Sequence, residues 1–183
     1  VALCCGAILA ITGAAMQGLF RNPLADPSLI GVSGGASLGA SVVIVLGTQW
    51  SLLNLPHVLN MSLITLGAFI GATVSTLLVY RLGRTPHGTS VATMLLAGIA
   101  INGIVGALIN FLTYVANDEA LRQMTFWRMG SFQGSDWVQV QWLIICGVGL
   151  LILFIKQASA LNALLLGESE ARHLGYDVKK VTR

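Results

Sequence analysis

No Asp, Glu, Lys or Arg occurs anywhere from Pro27 to Tyr80, and the same holds for Val1–Phe20, Thr85–Asn117 and Trp137–Ile155. A helix needs about 20 apolar residues to cross a hydrocarbon core of roughly 30 Å, and uncharged windows of that length are the main signal of such crossings. Soluble domains carry about a quarter of their residues as charges. Here the figure is 9%, with a mean hydropathy of +0.81. The windows predict an all-α, polytopic membrane protein. Five crossings are expected, at about Val1–Phe20, Gly31–Leu46, Met61–Val79, Val91–Val115 and Trp137–Ile155, the fourth being the longest.

The remaining charges orient these crossings. The connections after segments one, three and five hold Arg21, Arg81, Arg84, Lys156, Arg172, Lys179, Lys180 and Arg183, whereas those after segments two and four hold only Arg122 and Arg128. The excess of Lys and Arg marks the cytoplasmic side, so Val1 is expected at the outer face. Trp50, Trp127 and Trp137 then fall at the outer interface, where indole rings concentrate. The pI of 9.0 is thereby explained by topology, and no nucleic-acid partner is expected. The chain opens inside an apolar segment and closes on "YDVKKVTR", and it reads as a fragment of a longer chain.

Small residues recur at helical spacing. Gly31, Gly35 and Gly39 form one stripe, Gly67 and Gly71 a second, and Gly98, Asn102, Gly106 and Asn110 a third. Such stripes let helix backbones approach closely in lipid. Asn102 and Asn110 have two readings, as hydrogen-bonding links between helices or as lining of a polar path, and Gln17 beside Met16 has the same two.

Several chemistries are excluded. "GVSGGASLG" lacks the Lys and Ser/Thr that a phosphate loop needs. His57, His87 and His173 fall on different loops and on opposite sides of the membrane, so they supply no common metal site. Cys4, Cys5 and Cys146 lie in apolar runs and read as small hydrophobes. No nucleophile–base set or carboxylate pair lies at membrane depth. The chain is therefore not expected to be an enzyme, and no cofactor is expected in it. An intramembrane acid, base or ring of charge, the usual mark of ion-coupled carriers and channels, is lacking from all five windows.

The last stretch, "SALNALLLGESEARHLGYDVKK", predicts two short helices around Gly167. Glu168 and Glu170 suit a positive helix N-terminus, Arg172 and His173 a negative C-terminus, and Gly175 a helix stop. It reads as a cytoplasmic docking element. An interfacial helix lying on the headgroups is the competing reading, disfavoured by acidic Glu168 and Glu170 beside anionic lipid.

"GAAMQGLFRNPLADPSLIGVSGGASLG", "MLLAGIAING", "RQMTFWRMGSF" and "LLLGESEARHLG" appear in the order and spacing of the FecCD family, and the resemblance spans essentially the whole chain. Its members are the membrane subunits of type II ABC importers for iron-siderophores, haem and cobalamin. The resemblance implies a helical permease bundle in the bacterial cytoplasmic (inner) membrane, with this chain supplying about helices two to six of ten. One transmembrane domain would cover 1–183, with 158–183 as its cytoplasmic coupling loop. It also implies a homodimer with a second permease copy, partner ATP-binding cassette ATPases and an extracytoplasmic substrate-binding protein.

Matched to the family's pattern, "FRNPLADP" is the cytoplasmic turn between two crossings, and Asn22 and Leu24 belong to a constriction at the inner end of the path. A second constriction falls at Val91 and Ala92, flanked by Ser90 and Thr93, whose apolar character suits closure by dewetting. Gly167, Glu168, Ala171, Leu174 and Gly175 match the element that docks on the ATPase. "ANDEALRQMTFWRMGS" resembles the family's short outer helix, from which Arg122 and Arg128 would meet a binding protein. An ion-coupled secondary transporter of a small hydrophilic solute and a structural membrane scaffold are the alternatives.

Overall fold

The computed structural model describes residues 1–23, 25–49, 57–85, 88–89, 91–132 and 135–176. Each uncharged window is a helix: α1 (Ala2–Phe20), α2 (Val32–Gln49), α3 (His57–Leu82), α4 (Val91–Val115) and α6 (Trp137–Leu165). Short elements join them. A 3-10 turn at Pro27–Ile30 precedes α2, an antiparallel ladder of β1 (Arg84–Thr85) and β2 (Gly88–Thr89) precedes α4, α5 spans Asp118–Met129 and α7 spans Glu168–His173. Among the described residues four helices are long and apolar enough to cross a membrane: Ala2–Phe20, Met61–Leu82, Ala92–Val115 and Trp137–Leu165. The remaining apolar helix, α2, has 18 residues, about 27 Å at 1.5 Å each, and is richer in glycine and serine.

The longest helix is α6, with 29 residues, and not the fourth crossing with 25. At about 43 Å, α6 runs well past a 30 Å hydrocarbon layer. The uncharged window stops at Lys156, but the helix does not, because a lysine has high helix propensity and its long stem can carry the ammonium out to the interface. The first of the two short helices expected around Gly167 is therefore the last part of α6, and residues 158–165 belong to that helix.

The described chain packs as two compact units, Val1–Asp26 with Phe132–Arg183, and Pro27–Ser131. In the second unit α2 is central, lying against α3, α4 and α5. Ala40, Ser41, Ile44 and Val45 on it are essentially inaccessible. The two glycine stripes meet each other. A Cβ added at Gly35 would run into the carbonyl of Gly71, one at Gly71 into the carbonyl of Gly35, and one at Gly39 into the carbonyl of Gly67. Only hydrogen at these positions allows the two backbones to touch. At the start of α2, Gly31 has a φ of 80°, and a Cβ there would stand 2.5 Å from the Ser75 hydroxyl on α3.

Polar side chains are mostly satisfied within their own helices. Thr12, Thr65, Thr73 and Thr113 donate to the carbonyl four residues earlier, at 2.8–2.9 Å, and Ser41 does the same to Ser37 at 2.7 Å. A hydroxyl bonded this way can face lipid without an unsatisfied donor. Among the described residues the buried Ser75 hydroxyl has no hydrogen-bond partner, at a cost of about 1–3 kcal/mol.

In the first unit α1 packs along α6, and α7 folds back on α6. Gly147 on α6 faces Ile8 on α1, where a Cβ would stand 3.2 Å from the isoleucine Cγ1.

Two substitutions on the α2–α3 contact should move stability in opposite directions. Gly39→Ala should lower it by about 1–3 kcal/mol, because an added methyl in a filled contact forces the backbones apart. Ser75→Ala should raise it by about 1 kcal/mol, by removing a desolvated hydroxyl. Thermal unfolding in detergent checks both signs.

Candidate functional site

The end of α1 is a Schellman turn. Arg21 N–H donates to Gly18 O (3.3 Å) and Asn22 N–H to Gln17 O (3.2 Å), with Arg21 in the left-handed region at φ 49°. Glycine is the usual occupant, and a side chain there costs about 1 kcal/mol. Pro23 follows, where a helix could not continue, and Ala25 N–H closes a turn on Asn22 O at 3.0 Å. This local geometry places Gln17, Arg21 and Asn22 in the lining of a cleft of about 670 Å³ between α1 and α6. Its walls are mainly apolar, among them Ile11, Ala14, Phe154, Ile155 and Leu165. Asn162, which sequence reasoning missed, joins the polar end. It falls within the Ile155, Ala158, Asn162, Leu165 series, a 3–4-residue spacing that marks one helix face. The cleft also brings the ends of α1 and α6 to one level, as the distribution of Lys and Arg requires.

The second cluster lies where α6 hands over to α7. Gly167 takes a φ of 123° and starts α7; Gly175 takes 84° and ends it. The stop is another Schellman turn, with Gly175 N–H on Arg172 O (2.9 Å) and Tyr176 N–H on Ala171 O (3.0 Å). Ala171 is fully buried with Ala163 and Leu164 of α6, and Leu19 of α1, Leu161 and Tyr176 pack against this cluster. Ala171 thus holds α7 in place and does not present a contact surface. The outward side chains are Ser169, Glu170, Arg172, His173 and Leu174, the leucine 59% exposed. The backbone of Glu168 opens α7, and its side chain lies outside the described residues.

Apart from Leu24, the other candidates lie on the Pro27–Ser131 unit. Val91 is the first residue of α4, with its side chain outside the described residues, and Ala92 is exposed beside it. Leu24 and Ser90 lie outside the described residues. Gly83, just beyond α3, leaves room for Met94, which draws the start of α4 against the end of α3. Asn102 donates through Nδ2 to the carbonyl of Ser28 at 3.0 Å, linking α4 to the 3-10 turn. Asn110, two turns along, is exposed. Asn117 caps α5 by accepting from Ala120 N–H at 2.9 Å, and Asp118 and Glu119 sit in its first turn, where anions are favoured. Ala120 and Met124 bury one face of α5, while Arg122 and Arg128 are exposed on the helix. Among the described residues no group of three or more His, Cys, Asp or Glu could hold a metal ion.

Because Ala171 has no free volume, Ala171→Leu should push α7 off α6 at a cost of about 1–3 kcal/mol. The expected result is faster amide exchange over residues 168–174 with the exchange of α2 and α3 unchanged.

The FecCD transport family's profile matches residues 1–183. The chain is 41% identical over 180 residues to the hemin transport system permease protein HmuU of Yersinia pestis, covering 98% of this chain and 52% of that protein. It is likewise 41% identical over 174 residues to the vitamin B12 import system permease protein BtuC of Salmonella paratyphi A, covering 93% of this chain and 49% of the relative. A solved structure described as an inward-facing conformation of a metal-chelate type ABC transporter superposes with a TM-score of 0.79 at 30% identity, covering 99% of this chain and 55% of that one. The chain therefore spans about half the length of the relatives it matches. By the match of its whole length, it belongs to the FecCD transport family.

Proposed function

We propose that this chain is the transmembrane permease portion of an ATP-driven importer that carries a metal chelate of the iron-siderophore, haem or cobalamin kind across the bacterial cytoplasmic membrane. The relatives' names, hemin transport and vitamin B12 import permeases, support the cargo class. The observation that carries the mechanism is the anchoring of α7: a six-residue helix bounded by two positive-φ glycines and fixed to α6 by buried Ala171. Such an element can be pushed as a rigid body without unfolding.

On this reading the chain catalyses nothing. Partner ATPases bind and hydrolyse ATP and move α7, which sits in the 158–183 coupling region of a single permease domain. Asn22, Leu24, Val91 and Ala92 open and close the inner mouth, while Arg122 and Arg128 receive an extracytoplasmic binding protein. A second permease copy completes the path. The uncharged crossings suit a conduit that holds cargo weakly and releases it, with affinity residing in the delivering protein. They also disfavour ion coupling, which calls for a titratable group at membrane depth.

Leu174 is the large apolar side chain on the outward surface of this element. Leu174→Asp should weaken ATPase binding by about tenfold or more, the loss typical of removing a central apolar anchor. Affinity measured by co-purification and titration of the ATPase against the assembled permease checks this. Undiminished affinity would remove the docking assignment.

A further inference from the structure

Within the unit formed by Val1–Asp26 and Phe132–Arg183, α1 is fastened to α6 at two levels with a cleft between them. Toward its start Ile8 packs on Gly147, where an added Cβ would stand 3.2 Å from the isoleucine Cγ1. From Ile11 to Gly18 the two helices line the cleft of about 670 Å³, whose α6 wall runs from Phe154 to Leu165. The end of α1 then returns to α6 at Leu19. This side chain, with Leu161 and Tyr176, packs against the buried cluster of Ala163, Leu164 and Ala171. One small core is thus shared by the last turn of α1, the end of α6 and α7.

The backbone beyond Leu19 is tied to the turn that holds it. Arg21 N–H and Asn22 N–H donate back to Gly18 O and Gln17 O at 3.3 and 3.2 Å, and Ala25 N–H donates to Asn22 O at 3.0 Å. Pro23 fixes φ within this turn. A displacement of Leu19 therefore carries Asn22 with it. On the other side of the core, Ala171 has no accessible surface, so α7 cannot shift without moving the atoms on which Leu19 rests.

We infer that Leu19 is a positioning residue of the inner mouth: it couples the end of α1, and with it Asn22, to the joint between α6 and α7. A push on α7 then reaches the turn at residues 21–23 directly, without passing along the stretch where the cleft separates the two helices. This rests on the docking and gate readings given above. Leu19, Asn22 and Ala171 all belong to the one packed unit.

The test uses the assembled permease with its ATPase in nanodiscs, its native cysteines, Cys4, Cys5 and Cys146 among them, replaced by alanine. Single cysteines placed by Asn22→Cys, in the turn, or Leu166→Cys, at the exposed end of α6, are labelled with a charged maleimide, nucleotide-free and after trapping with ATP and vanadate. In the parent both labelling rates should change by about tenfold between states, within the usual range of coupling between sites. Adding Leu19→Ala should abolish the change at position 22 and leave it intact at position 166. Leu19→Val, a smaller truncation, should give a partial loss at 22 alone, and Leu19→Met, which keeps the volume, should retain the parent's response. Leu9→Ala, the same truncation on an exposed part of α1, should leave both changes in place. An unaltered response at position 22 in every Leu19 truncation that folds overturns the relay. So does loss at both positions, which makes Leu19 a support of the α7 seat alone. Loss at 22 in Leu19→Met or in Leu9→Ala overturns it as well. A parent that responds at 166 but not at 22 sinks the gate reading of Asn22 and the relay with it. A parent that responds at neither position sinks the docking reading on which the relay stands.

Discussion

Inside hydrocarbon, apolar area gives helices no reason to associate, since lipid tails are as apolar as leucine. What holds α2 to α3 is the direct approach of their backbones at Gly35, Gly39, Gly67 and Gly71, where dispersion between main-chain atoms replaces the burial that would serve in water. The arrangement of residues 27–131 follows from that approach. It brings Gly31 against Ser75, which fixes where α2 begins, and so fixes the 3-10 turn that leads into it. With the turn placed, Gly98 and Asn102 of α4 have a backbone to meet.

The economy of polar groups reinforces this order. Serine and threonine hydroxyls bond back to their own helix and so impose nothing on their neighbours. An asparagine carboxamide has more donors and acceptors than its own helix can readily satisfy, and in a membrane that surplus is directed to another element. Asn102 does this, whereas Asn110, on the same stripe, is exposed. The stripe of Gly98, Asn102, Gly106 and Asn110 therefore divides. Its first half is an internal joint, and Gly106 has no neighbour where a Cβ would be.

Much of this was legible in the sequence for a physical reason. Charge at membrane depth is costly enough that uncharged windows locate the helices, and small residues at four-residue spacing locate the faces that touch. The windows could not show where α6 ends, because one lysine neither breaks a helix nor needs to leave the membrane's edge. Pairing between stripes was also hidden. Glycine at 35 and 39 says that something comes close, while which backbone comes close is a matter of tertiary register. Ala171 was matched to the docking element by the family pattern, yet an alanine carries no mark of which side it faces, and it faces inward. Arg21 in a left-handed turn had no signal at all, since glycine is the residue that announces such a position.

A helix of six residues has no stability of its own in water, because the cost of fixing its first turn exceeds what so few hydrogen bonds return. The rigidity of α7 must come from its ends and its one buried contact. Gly167 and Gly175 supply backbone conformations that other residues adopt only with strain, and the Schellman turn satisfies carbonyls that would otherwise be open. Ala171 is small enough to let the helix lie flat on Ala163 and Leu164, so a displacement of α7 is passed to α6 through packed atoms and not through a flexible stalk. The exposed residues of α7 take no part in this joint, while the three small residues at 167, 171 and 175 are constrained by it. The spacing of those three, four residues apart, is the sequence form of the joint that keeps this short element stiff.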